Sequence, residues 1–215
     1  MHEYQNHLDF YKNYWFGDFT YLMPRSEWGD EEAASRYLEK YWLLEAEYES
    51  VWQPIARQVF TDANGLPGMV FQPHLLLNVQ MGGCLFLKSD FQALRSAALA
   101  AGDRYILVTQ LPGKERADEP MFRMKYPADI TWEELVSGNY ISAVLTEMPS
   151  HEYYVFGDTG TWGKYAASEA DHPVDILGCA PHLKTVFDAS FPRSSAEDDK
   201  RVASLPPAYQ ARLME

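Results

Sequence analysis

Cysteine is nearly absent from the 215-residue chain; only Cys84 and Cys179 occur. Two isolated thiols make neither a disulfide framework nor a zinc site. They predict two reduced, buried cysteines and the cytoplasm as compartment. Basic residues are also scarce. Eighteen Lys and Arg face 31 Asp and Glu, a formal net charge of −13 with a pI near 4.8. Such a balance excludes sequence-independent nucleic-acid binding, which needs clustered Lys and Arg, and attraction to anionic membranes. Long apolar runs are missing too. No stretch approaches the roughly 18 consecutive apolar residues of a membrane span. The N-terminal segment lacks the basic and apolar regions of a secretory signal. The catalytic motifs are equally thin. There is no Gly-x-Ser-x-Gly elbow and no phosphate loop. His151-Glu152 begins like a zinc-protease pair, but the fifth position is Val155. No metal site or cofactor is expected, and no residue constellation declares a chemistry.

What is present is a soluble, globular composition, 47% apolar and 23% charged. The length suits a single domain. Residues 3–24 are dense in aromatics, including Tyr4, Phe10, Trp15 and Phe19, which need cover from the core or from a partner. From Asp30 to Phe60 apolar residues recur at helical spacing, among them Leu38, Tyr41, Trp52 and Val59. Asp30 reads as the N-cap, and Pro54 as a kink or restart. Asp62 to Gly68 is a turn cluster. Two capping boxes follow, Ser89–Gln92 and Thr131–Glu134. Leu75–Val79 and Cys84–Leu87 are short apolar runs, strands are expected at 105–109, 121–126, 140–147 and 174–177, and a hairpin at 153–167 turns on Asp158, Thr159 and Gly160. Pro181 to Ala189 reads as a helix, residues 192–215 as a mobile tail closing with one helical turn. Connections too short for parallel crossovers favour an antiparallel sheet. The expected architecture is α+β: a helical part at 1–62 packed on a sheet-rich part at 68–191.

For chemistry, Cys179 and His182 flank Pro181. If Pro181 opens a helix, that helix lowers the Cys179 pKa, and His182 or His151 becomes the base of a cysteine-dependent hydrolase or transferase. For partner binding, the candidates are acids beside aromatics: Asp158, Trp162 and Tyr165 on the hairpin, and Glu45, Glu47 and Glu49 on the helix. The competing reading is core packing for the hairpin aromatics and a solvated helix face for the glutamates.

The segment Tyr153-Tyr-Val-Phe-Gly-Asp-Thr-Gly-Thr-Trp-Gly-Lys-Tyr-Ala-Ala, followed by Pro173-Val-Asp-Ile-Leu-Gly-Cys, resembles the C-terminal part of bacterial immunity proteins of the SUKH type. The likeness covers about 30 residues and rests on a Phe-Gly-Asp-x-Gly-x-Trp-Gly turn. It implies a bacterial protein that neutralises a toxin by occluding its active site, without catalytic residues of its own. A basic partner suits the acidic charge. A self-associating adaptor built on the aromatic N-terminal segment is the other non-enzymatic alternative.

Overall fold

A computed structural model describes residues 31–63, 65–81, 85–111, 121–138, 140–146, 152–167, 174–191, 202–203 and 205–213. The aromatic segment 3–24, the Asp30 cap, Cys84, His151 and the tail stretch 192–201 lie outside the described residues.

Six strands form one sheet in the order β1-β6-β5-β4-β2-β3. They are β1 (Leu76–Met81), β2 (Tyr105–Gln110), β3 (Arg123–Pro127), β4 (Tyr153–Gly157), β5 (Trp162–Ala167) and β6 (Val174–Cys179). Every neighbouring pair is antiparallel. With its helices, the architecture is α+β as the connection lengths predict.

Apolar layers cover both faces. Side chains alternate across each strand, so β5 sends Trp162 and Ala166 to one face and Tyr165 to the other. The first face carries α1 (Glu31–Tyr41), α4 (Lys88–Ala101), α5 (Trp132–Leu135), α6 (Tyr140–Thr146) and α7 (Lys184–Ser190). The second carries α2 (Glu45–Glu47), a π-helical turn (Tyr48–Trp52), α3 (Gln53–Val59), the loop around Val70 and Phe71, and the C-terminal turn α8 (Pro207–Gln210). Two-sided cover explains why β2 is buried at five of six positions and reads as a continuous apolar run.

On the second face two glycines make close packing possible. Gly163 of β5 lies opposite Gly178 of β6. A Cβ at Gly163 would sit 2.5 Å from Val59 Cγ1, and one at Gly178 2.6 Å from Phe71. Of the hairpin glycines, only Gly160 takes a positive φ, +65°. Gly163 is needed instead for the close approach of Val59 and Phe60.

The helical region 30–60 is not continuous. After Tyr41 the chain leaves the helix so that Trp42 bridges Met124 and the Leu43 amide donates to the Arg123 carbonyl (3.1 Å). That contact covers the outer edge of β3, which otherwise presents unpaired backbone. No Gly or Pro marks the break; tertiary pairing overrides a good local helix pattern. Pro54 acts as expected. It has no N–H for the Ser50 carbonyl, and the preceding turn widens to π geometry, with the Gln53 amide bonded to the Tyr48 carbonyl.

Four further expectations are corrected. Residues 140–146 are helical rather than a strand. Ile141 and Leu145, four apart, are both buried in the core, so packing at helical spacing outweighs β-branched content. At 89–92 no capping box forms: Leu87 occupies the N-cap with no side-chain bond, and the Ser89 hydroxyl donates to Asp90. At 131–134 half a box forms. Thr131 Oγ1 accepts from the Glu134 amide (3.2 Å), while the Glu134 carboxylate turns to Tyr41 and Lys40. Finally, residues 205–213 are docked rather than mobile. Tyr209 is fully buried; its hydroxyl donates to the Gly68 carbonyl (2.6 Å) and accepts from the Val70 amide (2.8 Å). Arg212 donates to the carbonyls of Phe71, Gln72 and Leu75, and Leu213 bridges Leu77 at the other sheet edge.

Candidate partner-binding face

The hairpin and the acidic helix, both nominated from sequence, are built in opposite ways. In the hairpin, Trp162 and Tyr165 are fully buried on opposite faces of the sheet. Trp162 Nε1 donates to Asp103 Oδ2 (2.5 Å), and the Thr159 amide donates to Asp103 Oδ1 (2.8 Å). Burial pushes the Asp103 carboxyl up, and these two partners offset part of that shift. Tyr165 accepts from the Leu66 amide (3.1 Å). Asp158 is turned inward as well. Its carboxylate accepts from the amides of Arg104 (2.7 Å) and Tyr105 (3.1 Å) and from Arg104 Nε (3.1 Å). Its side chain is 7% exposed against 80% for Arg104, so the cation of this pair faces solvent. Asp158, Trp162 and Tyr165 hold the hairpin together; the two aromatics present no surface to a partner.

On the helix the polarity reverses. Glu45 pairs with Arg123 at 3.4 Å, its carboxylate side 61% exposed and the arginine 10%. Arg123 is drawn inward by the Tyr48 ring, whose centroid lies 4.8 Å from the guanidinium carbon. Glu47 pairs with Lys125 at 2.6 Å, with exposures of 38% and 28%. The Lys125 ammonium lies between the rings of Trp52 (5.6 Å) and Tyr105 (5.5 Å). Such contacts contribute about 0.5–2 kcal/mol each, more as they are desolvated. Trp52 Nε1 also donates to Glu47 Oε1 (3.0 Å). Burial raises the Glu47 carboxyl, but the bonds from Lys125 and Trp52 outweigh it and hold the group below its ordinary range. Glu49 is exposed. The three glutamates therefore differ. Glu47 is a strut between helix and strand, while Glu45 and Glu49 face outward.

Arg123 and Lys125 were not singled out from sequence, although a signal exists. They are two apart on a strand whose alternate residues Met124 and Tyr126 are buried on the helical face, so both cations belong to the opposite face.

The thiol candidate is built against reactivity. Cys179 ends β6 in the core, and burial pushes its thiol up to about 11, with Asp188 adding to the rise and Lys184 opposing it. An activated nucleophile needs the opposite shift. Pro181–Leu183 forms a 3-10 turn rather than an α-helix, and His182 is exposed. His151, the other base candidate, lies outside the described residues. One buried ion pair went unnoticed in the sequence. Lys164 and Asp175 meet at 2.5 Å, each side chain nearly inaccessible, and Lys164 also donates to the Leu85 carbonyl (2.6 Å). Burial raises Asp175 to about 6 against the lowering effect of Lys164, with Asp90 adding to the rise. Among the described residues no group of three or more His, Cys, Asp or Glu is placed to hold a metal ion, and no helix is long and apolar enough to cross a membrane.

Comparison of the chain with protein-family models, with curated proteins and with solved structures finds no match.

Proposed function

We propose that the protein is an acidic binding protein of the bacterial cytoplasm that neutralises a basic protein partner by covering its active site, in the manner of a toxin-immunity protein. The observation that carries this reading is the polarity of the helix–strand ion pairs. Glu45 stands outward over an Arg123 recessed against the Tyr48 ring, while Glu47 ties the helix to Lys125 of the strand. With Glu49 exposed beside them, the face turned to solvent is negative although the cations are present. On a chain of net charge −13 that arrangement favours fast encounter with a basic surface. Occlusion asks for no catalytic residue. The hairpin segment that resembles immunity proteins contributes stability to this reading and no contact.

The test is affinity capture from the native cell lysate at low and then moderate salt, followed by a neutralisation assay. The reading expects one stoichiometric basic protein, released as salt rises, whose toxicity on its own is abolished by adding the chain. Absence of any partner at either salt, or a partner whose activity is unchanged by the chain, overturns it.

A further inference from the structure

Among the described residues, the hydrogen bonds between segment 205–213 and the rest of the chain all end in one stretch, 68–77, and all on its backbone. The Tyr209 hydroxyl donates to the Gly68 carbonyl (2.6 Å) and accepts from the Val70 amide (2.8 Å). Arg212 Nη1 donates to the Phe71 carbonyl (3.1 Å), and Nη2 to the carbonyls of Gln72 and Leu75 (2.8 Å to Leu75). The Leu77 amide donates to the Arg212 carbonyl (3.0 Å), and Leu213 runs parallel to Leu77 at the edge of β1. The stretch is held in place by bonds that do not involve the segment. The Thr61 amide donates to the Val70 carbonyl (2.8 Å), and the Gln72 amide to the Val59 carbonyl (2.9 Å). The Gln72 side chain donates to the carbonyls of Arg57 and Phe60 (3.0 Å each). The segment likewise shapes itself. Pro206 and Pro207 fix their own φ. The amides of Tyr209, Ala211 and Arg212 donate to the carbonyls of Pro206, Pro207 and Tyr209, and Gln210 Nε2 closes onto the Leu205 carbonyl (2.8 Å). Phe191 packs on one face of the sheet and Leu205 on the other, so the segment reaches this face as a separate piece.

We propose that residues 68–77 form a peptide-binding groove, that segment 205–213 is a strap filling it from within the chain, and that the groove takes the same segment as a separate peptide. The ligand class is a proline-led turn carrying tyrosine and, three residues on, arginine followed by an aliphatic residue. This inference is independent of the acidic face. Three features set the class. The tyrosine hydroxyl both donates and accepts, so phenylalanine leaves the Gly68 carbonyl and the Val70 amide unpaired. The guanidinium spans three carbonyls, and a lysine ammonium lacks its planar fork. The residues after the turn meet the backbone of β1 at its outer edge, as an added strand does. Because the groove offers backbone groups and no carboxylate, recognition here is insensitive to salt. Attachment to the same chain raises the effective concentration of the strap and keeps the groove closed to weak competitors.

The experiment uses the full chain carrying Tyr209→Ala and Arg212→Ala, melted with and without a synthetic peptide of residues 202–213. The double variant is expected to melt below the parent. The peptide is expected to raise its midpoint, further with each tenfold increase in concentration. Peptides carrying Tyr209→Phe or Arg212→Lys should need on the order of tenfold more for the same rise. The parent chain, its groove already filled, should show no rise. A variant midpoint that ignores the peptide, or that a scrambled peptide raises equally, overturns the proposal. Amide hydrogen exchange of the parent chain decides the case in which the double variant does not fold. The Val70 and Leu77 amides, bonded to the segment, should exchange roughly tenfold or more faster than those of β2 and β4, because the strap opens on its own. Exchange of both at the rate of β2 makes segment 205–213 an inseparable part of the core and overturns the proposal.

Discussion

The hairpin at 153–167 and the helical segment at 45–52 carry the same ingredients, a carboxylate beside large aromatics and a basic neighbour, yet they have opposite polarity. At the hairpin the acid is inside and the cation outside: Asp158 is enclosed by two amides, with Arg104 in solvent. At the helix the rings of Tyr48, Trp52 and Tyr105 take the cations, and Glu45 and Glu49 are left outside. Acid beside aromatic in sequence thus marks two unlike objects. What separates them is where the cation goes, and that depends on a strand 70 or more residues away in sequence.

The comparison can be broken most strongly from the hairpin side. Trp162→Ala removes a fully buried ring and leaves Asp103 without its indole partner. It is expected to destabilise the fold by about 3–5 kcal/mol in a urea titration, whereas a partner-contact role predicts an unchanged midpoint. Asp158→Ala strips the Arg104 and Tyr105 amides of their acceptor and should cost about 1–3 kcal/mol by the same measurement.

A pH titration sharpens the contrast between buried and outward acids. Asp175 has its folded pKa raised to about 6 from an ordinary 3.8. The folded state therefore binds its proton more tightly than the unfolded chain does. The contribution is fully present below pH 3.8 and is lost as pH rises through about 6. Glu47 has the opposite sign. Its folded pKa is lowered, so its contribution is present above the ordinary carboxylate range and lost as pH falls through the folded value. Unfolding free energies measured from pH 7 to pH 4 should show the rise on acidification in the parent chain, and Asp175→Asn should flatten it. A slope unaffected by Asp175→Asn contradicts the assignment.

The smallest stability effect belongs to the outward acids. Glu49→Gln is expected to shift stability by less than about 0.5 kcal/mol, with its effect confined to the rate of partner association. A large loss of stability would make Glu49 a structural residue like Glu47.

Much of the fold was legible in the sequence. The antiparallel sheet, the hairpin turn at Asp158–Gly160, the role of Pro54 and the closing turn near Pro207 all follow from local chemistry and connection length. What was not legible depends on tertiary partners. Nothing local breaks the helix at Trp42; the uncovered edge of β3 does. Ile141 and Leu145 carry a helical spacing that the β-branched content of 140–147 masks. The Ser89–Gln92 box matches its pattern and fails because the helix starts two residues earlier, after Leu87. At the candidate site the glutamates were visible, but their sorting into one strut and two outward acids needs the positions of Arg123, Lys125 and Trp52.

The measurement that tests the central claim most directly is partner capture from lysate by two chains side by side, the parent and a Glu45→Lys, Glu49→Lys variant. It should be run at low salt and again at roughly 0.15 M, where the screening length is about 8 Å, with a melt of each chain as the control for folding. If the outward acids form the contact, the parent retains a stoichiometric basic protein that the variant does not, while the two chains unfold at nearly the same temperature. Equal capture by both chains would contradict the account and return the binding face to another part of the surface.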